Sequence, residues 1–165
     1  MPLTIPRPFP LQPRIPSLFV IGLLAAQYLV FGLGNSPEPK CSINIERPHY
    51  SSYLYEYKKI DAIKLNITTK CNVPQRYTEI TSSIQKIENN RQATAHKFES
   101  DRRYSKTKSP HVVIFEELYA TCVKGSNVAY SGEAKGYIHL KHGQDYPIQG
   151  SSGKFVAVSC KIVAK

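Results

Sequence analysis

The residues that could perform acid–base catalysis are histidines and carboxylates, and no local motif ties them together. Exported hydrolases of RNA combine His with Glu and Arg, because one group must accept a proton while another donates one near neutral pH. The sequence offers such groups at His139, His142, Glu116, Glu117, Glu133 and Arg102. His139 and His142 are three residues apart, so on a continuous strand they would point to opposite faces. They would converge only if the strand ended at Leu140, and we favour a surface or loop position for both.

Glu116 and Glu117 interrupt an apolar stretch that begins at Val112. On a regular strand, one of two adjacent carboxylates must face the core or lie at an edge. One interpretation is a catalytic carboxylate in a cleft. The other is an edge residue paired with a lysine, or a bulge that turns both side chains outward. We favour the structural interpretation, because nothing else in the sequence marks a cleft.

Motifs for covalent or cofactor chemistry are absent from the sequence. It contains no G-x-S-x-G elbow, no P-loop and no G-x-G-x-x-G fingerprint. We therefore expect no cofactor, and we favour a non-catalytic binding or structural role at the cell envelope. The alternative is a small secreted basic hydrolase that acts on an anionic polymer, RNA or a wall glycan, by His/Glu acid–base chemistry.

Four cysteines indicate an oxidising compartment. They are Cys41, Cys71, Cys122 and Cys160, separated by 30, 51 and 38 residues. Zinc sites usually bring ligands in close pairs, so we expect two disulfides and no metal. If the strand that Cys41 opens pairs antiparallel with the strand that Cys71 closes, these two cysteines meet and Cys122 is left for Cys160. The other pairings stay open. Closing the 30-residue loop would contribute roughly 3 to 4 kcal/mol.

A tyrosine-rich segment is the most distinctive candidate for a binding surface. Its members are Tyr50, Tyr53, Tyr55 and Tyr57. Tyrosine combines a large contact area with a hydroxyl group and suits recognition of sugars or protein surfaces. In an extended segment Tyr53, Tyr55 and Tyr57 would lie on one side. The alternative is that the rings fold back and pack against the domain.

A basic stretch from residue 97 to 108 is the second candidate binding surface. Its candidate residues are Arg102, Arg103, Lys106 and Lys108. We expect a solvated loop that could hold a polyanion. The whole chain of 165 residues carries a net charge of +10, with 22 basic and 12 acidic residues. Arg7 and Arg14 are the only charged residues among the first 34, so the remainder carries +8 and should be attracted to anionic surfaces.

The N-terminus has the three parts of an export signal. Arg7 and Arg14 precede an apolar run from Leu18 to Leu33, and small residues follow it. The run is intermediate in length between a signal peptide and a membrane anchor, so both interpretations remain. In either case the positive charge before the run keeps the N-terminus cytoplasmic. We predict that residues 1–34 are a signal peptide or N-terminal anchor and that 35–165 form an exported, disulfide-bonded domain.

Past residue 40 the apolar residues alternate with polar ones, which predicts strands. The candidates are 41–46, 60–71, 77–88, 91–99, 111–123, 127–140 and 154–163. Asn89 and Asn90 suit a tight hairpin turn, and the composition of 143–153 predicts a longer loop. Ile80, Ile84 and Ile87 also fit a helix, but the threonines and serines of 77–88 favour a strand. The fold class predicted is all-β, an antiparallel immunoglobulin-like sandwich of about seven strands preceded by one N-terminal hydrophobic helix.

These observations place the domain on the non-cytoplasmic side, either secreted or anchored at the cell surface. The expected partners are the membrane, through the N-terminal segment if it is not cleaved, and an anionic envelope polymer, a glycan or a protein surface. No specific nucleic acid is predicted. Asn66-Ile67-Thr68 is a glycosylation sequon, but its place within a predicted strand lowers its accessibility, and we interpret it as a chance occurrence.

Overall fold

A computed structural model describes residues 38–122 and 128–160, which from Pro39 onward belong to one compact unit, Pro39–Lys165. These residues are mostly β, in two antiparallel sheets with one short helix and a sandwich-like arrangement. The predicted export signal or anchor of residues 1–34 lies outside the described residues. Within the described ranges, no helix has the length and apolar composition needed to cross a membrane.

The elements follow one another along the chain with short connections. They are β1 (Cys41–Ile45), β2 (His49–Tyr50), α1 (Ser52–Lys58), β3 (Ala62–Cys71), β4 (Gln75–Glu88), β5 (Arg91–Tyr104), β6 (Val112–Thr121), β7 (Ala129–Leu140), β8 (Asp145–Ser151) and β9 (Val156–Ala157).

The first sheet is built around β3. Strand β6 pairs along β3 from Ala62 to Lys70, so β1 and β2 share the opposite edge of β3. The second sheet has the order β5-β4-β7. Strands β8 and β9 both pair with the far edge of β7, β8 from Glu133 to His139 and β9 at Ala129 and Tyr130. The predicted all-β architecture of two antiparallel layers is confirmed.

The core lies between the sheets, and strict alternation along the strands supplies it. In β4 the side chains of Thr78, Ile80, Ser82 and Ile84 are buried, while those between them face solvent. An interval of four residues suits one face of a strand as well as a helix, which is why the isoleucine spacing alone was ambiguous. The strand prediction for 77–88 is confirmed. The hairpin turn is confirmed too, since Asn89 and Asn90 have φ angles of 50° and 60°.

Both predicted disulfides are present. Cys41 lies directly opposite Cys71 in the β1–β3 ladder, and a disulfide joins them. Cys122 follows β6 in the first sheet, and its disulfide partner Cys160 follows β9 in the second. The first bond therefore holds one edge of a sheet, and the second ties the two sheets together.

Three predictions about the extent of strands need correction. The predicted loop 143–153 contains β8, which pairs with β7 from Glu133 to His139 and buries Ile148. Pro147 is tolerated there because β8 is an edge strand, whose outer side needs no hydrogen-bond donor. The second correction concerns β5, which continues to Tyr104 rather than ending at residue 99, because it stays paired with β4. Of the predicted last strand, the described part forms only Val156–Ala157.

A buried polar cluster fixes the place where β3 turns into β4. The hydroxyls of Thr69 and Thr78 lie 3.1 and 2.9 Å from Gln75 Oε1, and all three side chains are almost fully buried. Gln75 Nε2 donates to the carbonyl of His111 at 2.6 Å. Buried polar groups are tolerated when they satisfy one another. This cluster therefore joins β3, β4 and the segment before β6.

Replacing Gln75 with alanine should destabilise the protein by about 3 kcal/mol, because buried hydroxyl and carbonyl groups lose their partner. Urea-induced unfolding measures this change. Gln85→Ala is the matched control, since Gln85 lies on the solvent side of the same strand and its side chain bonds, among the described residues, only to Ser83 and Thr94. A loss below about 1 kcal/mol for Gln75→Ala, or equal losses for both variants, would contradict the assignment.

Candidate functional site

The solvent side of the β5-β4-β7-β8 sheet, here called the outer face, carries a row of side chains that crosses all four strands. The strand register places Tyr104 opposite Tyr77, Tyr77 opposite His139, and His139 opposite Asp145. Residues paired across neighbouring strands share one face of a sheet. The row, here called the aromatic row, therefore follows directly from the register.

Tyr77 is held from both sides within the aromatic row. The His139 ring stacks on it with centroids 4.1 Å apart, and the Tyr104 ring lies at 5.5 Å. The Arg102 guanidinium carbon is 4.7 Å from the Tyr77 centroid, a cation–π contact. His139 Nδ1 lies 2.7 Å from Asp145 Oδ1. The carboxylate thus fixes the ring orientation and leaves Nε2 as the other polar atom of the imidazole.

An ion pair lies next to the aromatic row. Arg102 donates to Glu79 Oε2 from Nε at 2.9 Å and from Nη2 at 2.6 Å, and Ser100 Oγ donates to Oε1 at 2.6 Å. The hydrogen bonds from Ser100 and Arg102 hold the pKa of the Glu79 carboxyl below its ordinary value. The same hydrogen bond from Arg102 raises the pKa of its guanidinium. These charges are therefore held in fixed positions at neutral pH.

Two adjoining hollows continue from this ion pair along the outer face. They measure about 630 and 660 Å³ and share Thr81, Lys135 and Gln149 in their linings. Tyr137 and Pro147 line the first hollow, beside Glu79. Hydroxyl, amide and charged side chains line the second, among them Ser83, Gln85, Thr94, Lys97, Glu133 and Ser151. Together they form a groove, here called the outer groove, rich in groups that exchange hydrogen bonds with hydroxyls.

Of the four candidates Arg102, Arg103, Lys106 and Lys108, only Arg102 belongs to this site, and Lys97 of the same basic stretch lines the outer groove. Arg103 points to the opposite side of β5, where it contacts Asp101 at 3.0 Å and Glu117 at 3.6 Å. Lys106 and Lys108 lie exposed in the turn that follows β5. The prediction that 97–108 forms a loop is wrong for its first eight residues, because they pair with β4.

The tyrosine-rich segment forms β2 and α1 and not one extended stretch. The Ser51 hydroxyl caps the helix by accepting from Leu54 N, and Leu54 is buried beneath it. Helical geometry brings Tyr53 and Tyr57 together on the exposed side, with centroids 4.8 Å apart. Tyr55 lies elsewhere on the helix, because the segment is not extended, which was the condition for all three rings to share one side.

The two remaining tyrosines of this segment pack against each other. Tyr55 lies beside Tyr50, with ring centroids 6.5 Å apart, and Lys59 Nζ is 5.9 Å from the Tyr55 centroid. The Tyr50 hydroxyl donates to Asp61 at 2.7 Å. Burial and this hydrogen bond raise the pKa of Tyr50 to about 12. Packing therefore accounts for Tyr50 and Tyr55, and exposed area remains at Tyr53 and Tyr57.

The suggested acid–base pairs are not brought together. Glu116 and Glu117 form a bulge in β6, between the pairs Leu65–Leu118 and Ile67–Phe115, and both are exposed. The structural interpretation of these carboxylates is confirmed. They belong to the first sheet, whereas His139 lies on the outer face of the second.

The other histidine and the sequon occupy separate places. Strand β7 ends at Leu140, and His142 lies exposed in the turn that follows. Asn66 is only partly exposed, and its side chain donates to Glu46 at 2.8 Å. Within the described ranges, no three His, Cys, Asp or Glu side chains are grouped closely enough to hold a metal ion.

Sequence reasoning missed most of the site. Tyr77, Glu79, Tyr137 and Asp145 were not selected, although the alternation in β4 already places Tyr77 and Glu79 opposite the core face. The signal that was lacking is the register between four strands, which a single sequence does not contain.

Comparison with known proteins gives little resemblance. No family model matches the chain, and no curated protein matches it. Among solved structures, a solution structure of a protein assigned to the late embryogenesis abundant (LEA) class is similar at 12% identity. The match covers 88% of this chain and 87% of that one, with a TM-score of 0.36. This likeness is too weak to carry a functional comparison.

The Glu79 carboxyl should titrate below its ordinary pKa of 4.5, as measured by carbon NMR of the carboxyl group. Because folding lowers this pKa, the stabilisation is complete above the unfolded value and is lost as the pH falls through the folded one. Ser100→Ala and Arg102→Gln should each raise the pKa, since each removes a hydrogen bond to the charged form. Arg103→Gln is the control and should leave it unchanged. A Glu79 pKa that stays unchanged in both Ser100→Ala and Arg102→Gln would contradict the described contacts.

Proposed function

We propose that this protein is a non-catalytic domain that binds a glycan of the cell envelope through the outer groove. It acts on the non-cytoplasmic side of the membrane, secreted or anchored by residues 1–34. The two disulfides support this location, because such bonds persist in oxidising compartments. The net charge of +8 after residue 34 supports attraction to an anionic envelope.

We also propose that the sandwich is of the immunoglobulin-like type and that an N-terminal hydrophobic helix precedes it. The strand order supports the first part. In the first sheet, β1 and β2 together correspond to strand A, β3 corresponds to strand B and β6 to strand E. Strands β5, β4, β7 and β8 correspond to C′, C, F and G of the other. The apolar run from Leu18 to Leu33 supports the second part.

The observation that carries the binding proposal is the outer groove with the aromatic row at its end. Sugars present hydroxyls along their edges and apolar C–H groups on their faces. Thr81, Gln149 and Lys135 offer partners for hydroxyls, and the Tyr137 ring, 55% exposed, offers an apolar contact. From Tyr77 to Gln85 the face extends for about 26 Å, enough for several sugar units.

Removing the Tyr137 ring should weaken glycan capture by about tenfold or more, because the side chain supplies exposed aromatic area in the groove. Tyr137→Ala and Gln149→Ala would be compared with wild type on immobilised envelope polysaccharides. Thermal melting checks that each variant remains folded. The matched control is Tyr53→Ala with Tyr57→Ala, which removes two exposed rings from the helix and should leave capture unchanged.

The outcome also decides between the two tyrosine surfaces. Capture that survives Tyr137→Ala and Gln149→Ala but disappears in the Tyr53/Tyr57 variant would transfer the binding role to α1. Absence of capture on every polysaccharide by folded wild-type protein would refute the glycan proposal.

A second candidate function is hydrolysis of an anionic polymer, and the His139–Asp145 contact favours it. A carboxylate at 2.7 Å from Nδ1 orients the imidazole, so that Nε2 could accept a proton from a hydroxyl or a water molecule. Arg102 and Lys135 on the same face could hold the anionic groups of the polymer. The carboxylate proposed to act together with His139 is thus Asp145, in place of Glu116 or Glu117.

This second candidate predicts a bell-shaped dependence of activity on pH with RNA or a wall polymer as substrate. His139→Ala should reduce the rate about 100-fold, and Asp145→Asn should also reduce it. His142→Ala is the control and should retain full activity. Activity that survives His139→Ala would eliminate the assignment.

A further inference from the structure

One end of the sandwich concentrates positive charge. The end, here called the basic end, comprises residues 38–41, 70–76, 104–111 and 140–145, where β1, β4, β6 and β8 begin and β3, β5 and β7 finish. Its lysines and arginine are Lys40, Lys70, Arg76, Lys106, Lys108 and Lys141. All six are exposed, and only two acids, Glu38 and Asp145, belong to the same segments.

Hydrogen bonds join the segments of the basic end into one platform. They run from Lys40 N to Asn72 Oδ1 (2.7 Å), from Gln75 N to Pro110 O (2.7 Å), from Lys141 N to Pro74 O (2.9 Å) and from Ser105 N to Arg76 O (3.2 Å). The buried cluster around Gln75 lies beneath them. The segments that carry the cations are therefore hydrogen-bonded to one another.

The six cations lack direct acidic partners within the described part of the chain, although Lys106 lines a hollow together with Glu116 and Glu117. None of them forms an ion pair with a described residue, and Asp145 is already engaged by His139. Two segments at the opposite end, residues 46–61 and 86–91, carry five basic and four acidic residues and include the Lys86–Glu88 ion pair. The segments of the basic end, with six basic and two acidic residues, carry the larger excess of positive charge.

We propose that the basic end docks onto the anionic phospholipid headgroups of a bilayer. Clustered lysines near a membrane are attracted to anionic lipid, and each contributes a similar increment. The chain enters the domain at this end, at Pro39 and Lys40. Only six residues separate Lys40 from Leu33, the last residue of the apolar run, and the seven Cα–Cα steps between the two span at most about 25 Å. The inference therefore rests on the proposal that residues 1–34 remain as a membrane anchor.

The test uses the full chain reconstituted into lipid nanodiscs, made either of phosphatidylcholine alone or with about a third phosphatidylglycerol. Amide hydrogen exchange is measured at low salt and at about 1 M salt, where screening shortens the Debye length to about 3 Å. We expect amides of residues 70–76, 104–111 and 140–145 to exchange more slowly in the anionic discs. High salt should abolish the difference.

The test variant replaces Lys106, Lys108 and Lys141 with glutamine. The ratio of docked to undocked domain should fall about 100-fold, since each lysine near anionic lipid contributes about a factor of five. The matched control replaces Arg47, Lys58 and Arg91 with glutamine at the opposite end. It has the same net charge, and it should keep the protection seen in wild type.

Each alternative result has a distinct meaning. A chain that is incorporated in both discs but exchanges identically in them would refute docking while leaving the anchor intact. A chain that enters neither disc would refute the anchor, and the inference with it. Equal loss of protection in both variants would refute the assignment to this end. Protection by a soluble anionic polysaccharide, but not by anionic discs, would make the ligand a polymer and overturn the proposal. The glycan proposal for the outer groove is tested separately and does not depend on these outcomes.

Discussion

The pairing of β4 with β7 is the constraint on which both the core and the candidate site depend. It runs from Gln75–Leu140 to Ile87–Ala129. One side of the pair supplies buried residues such as Ile80 and Ile138, and the other side supplies the aromatic row. A slip by one residue would exchange the two sides. Gly136 makes this pairing possible, because a Cβ atom there would overlap the carbonyl oxygen of Glu79.

The covalent and polar restraints stabilise the ends of strands. Cys41–Cys71 joins the start of β1, a five-residue edge strand whose Ile43 and Ile45 pack in the core, to the end of β3. Cys122–Cys160 secures the segment that follows the two-residue strand β9. The Gln75 cluster does the same for the segment before β6. Cys41–Cys71 and the Gln75 cluster lie at the basic end, whereas Cys122–Cys160 joins the two sheets near the opposite end.

Alternation and cysteine spacing were sufficient to predict most strands and both disulfides, because these depend on local period and on one antiparallel pairing. The errors arose where a single tertiary contact decided the structure. Burial of Ile148 makes a strand from a segment whose Pro147 and glycines read as a loop. Burial of Leu54 and the Ser51 cap turn an apparently alternating tyrosine segment into a helix. The aromatic row was beyond reach, since Tyr77 and Asp145 meet through His139 only once three strands are in register.

The two proposed surfaces are geometrically related, which limits how they could act together. The aromatic row joins the end of β5 and the start of β4 to the end of β7 and the start of β8, so it lies beside the basic end. The outer groove runs from there along β4 towards the Asn89–Asn90 turn. A domain docked through its basic end would therefore hold the aromatic row nearest the headgroups, with the groove leading away from the bilayer. A bound glycan chain would then extend outward from the membrane, and its other end would remain accessible to further envelope components.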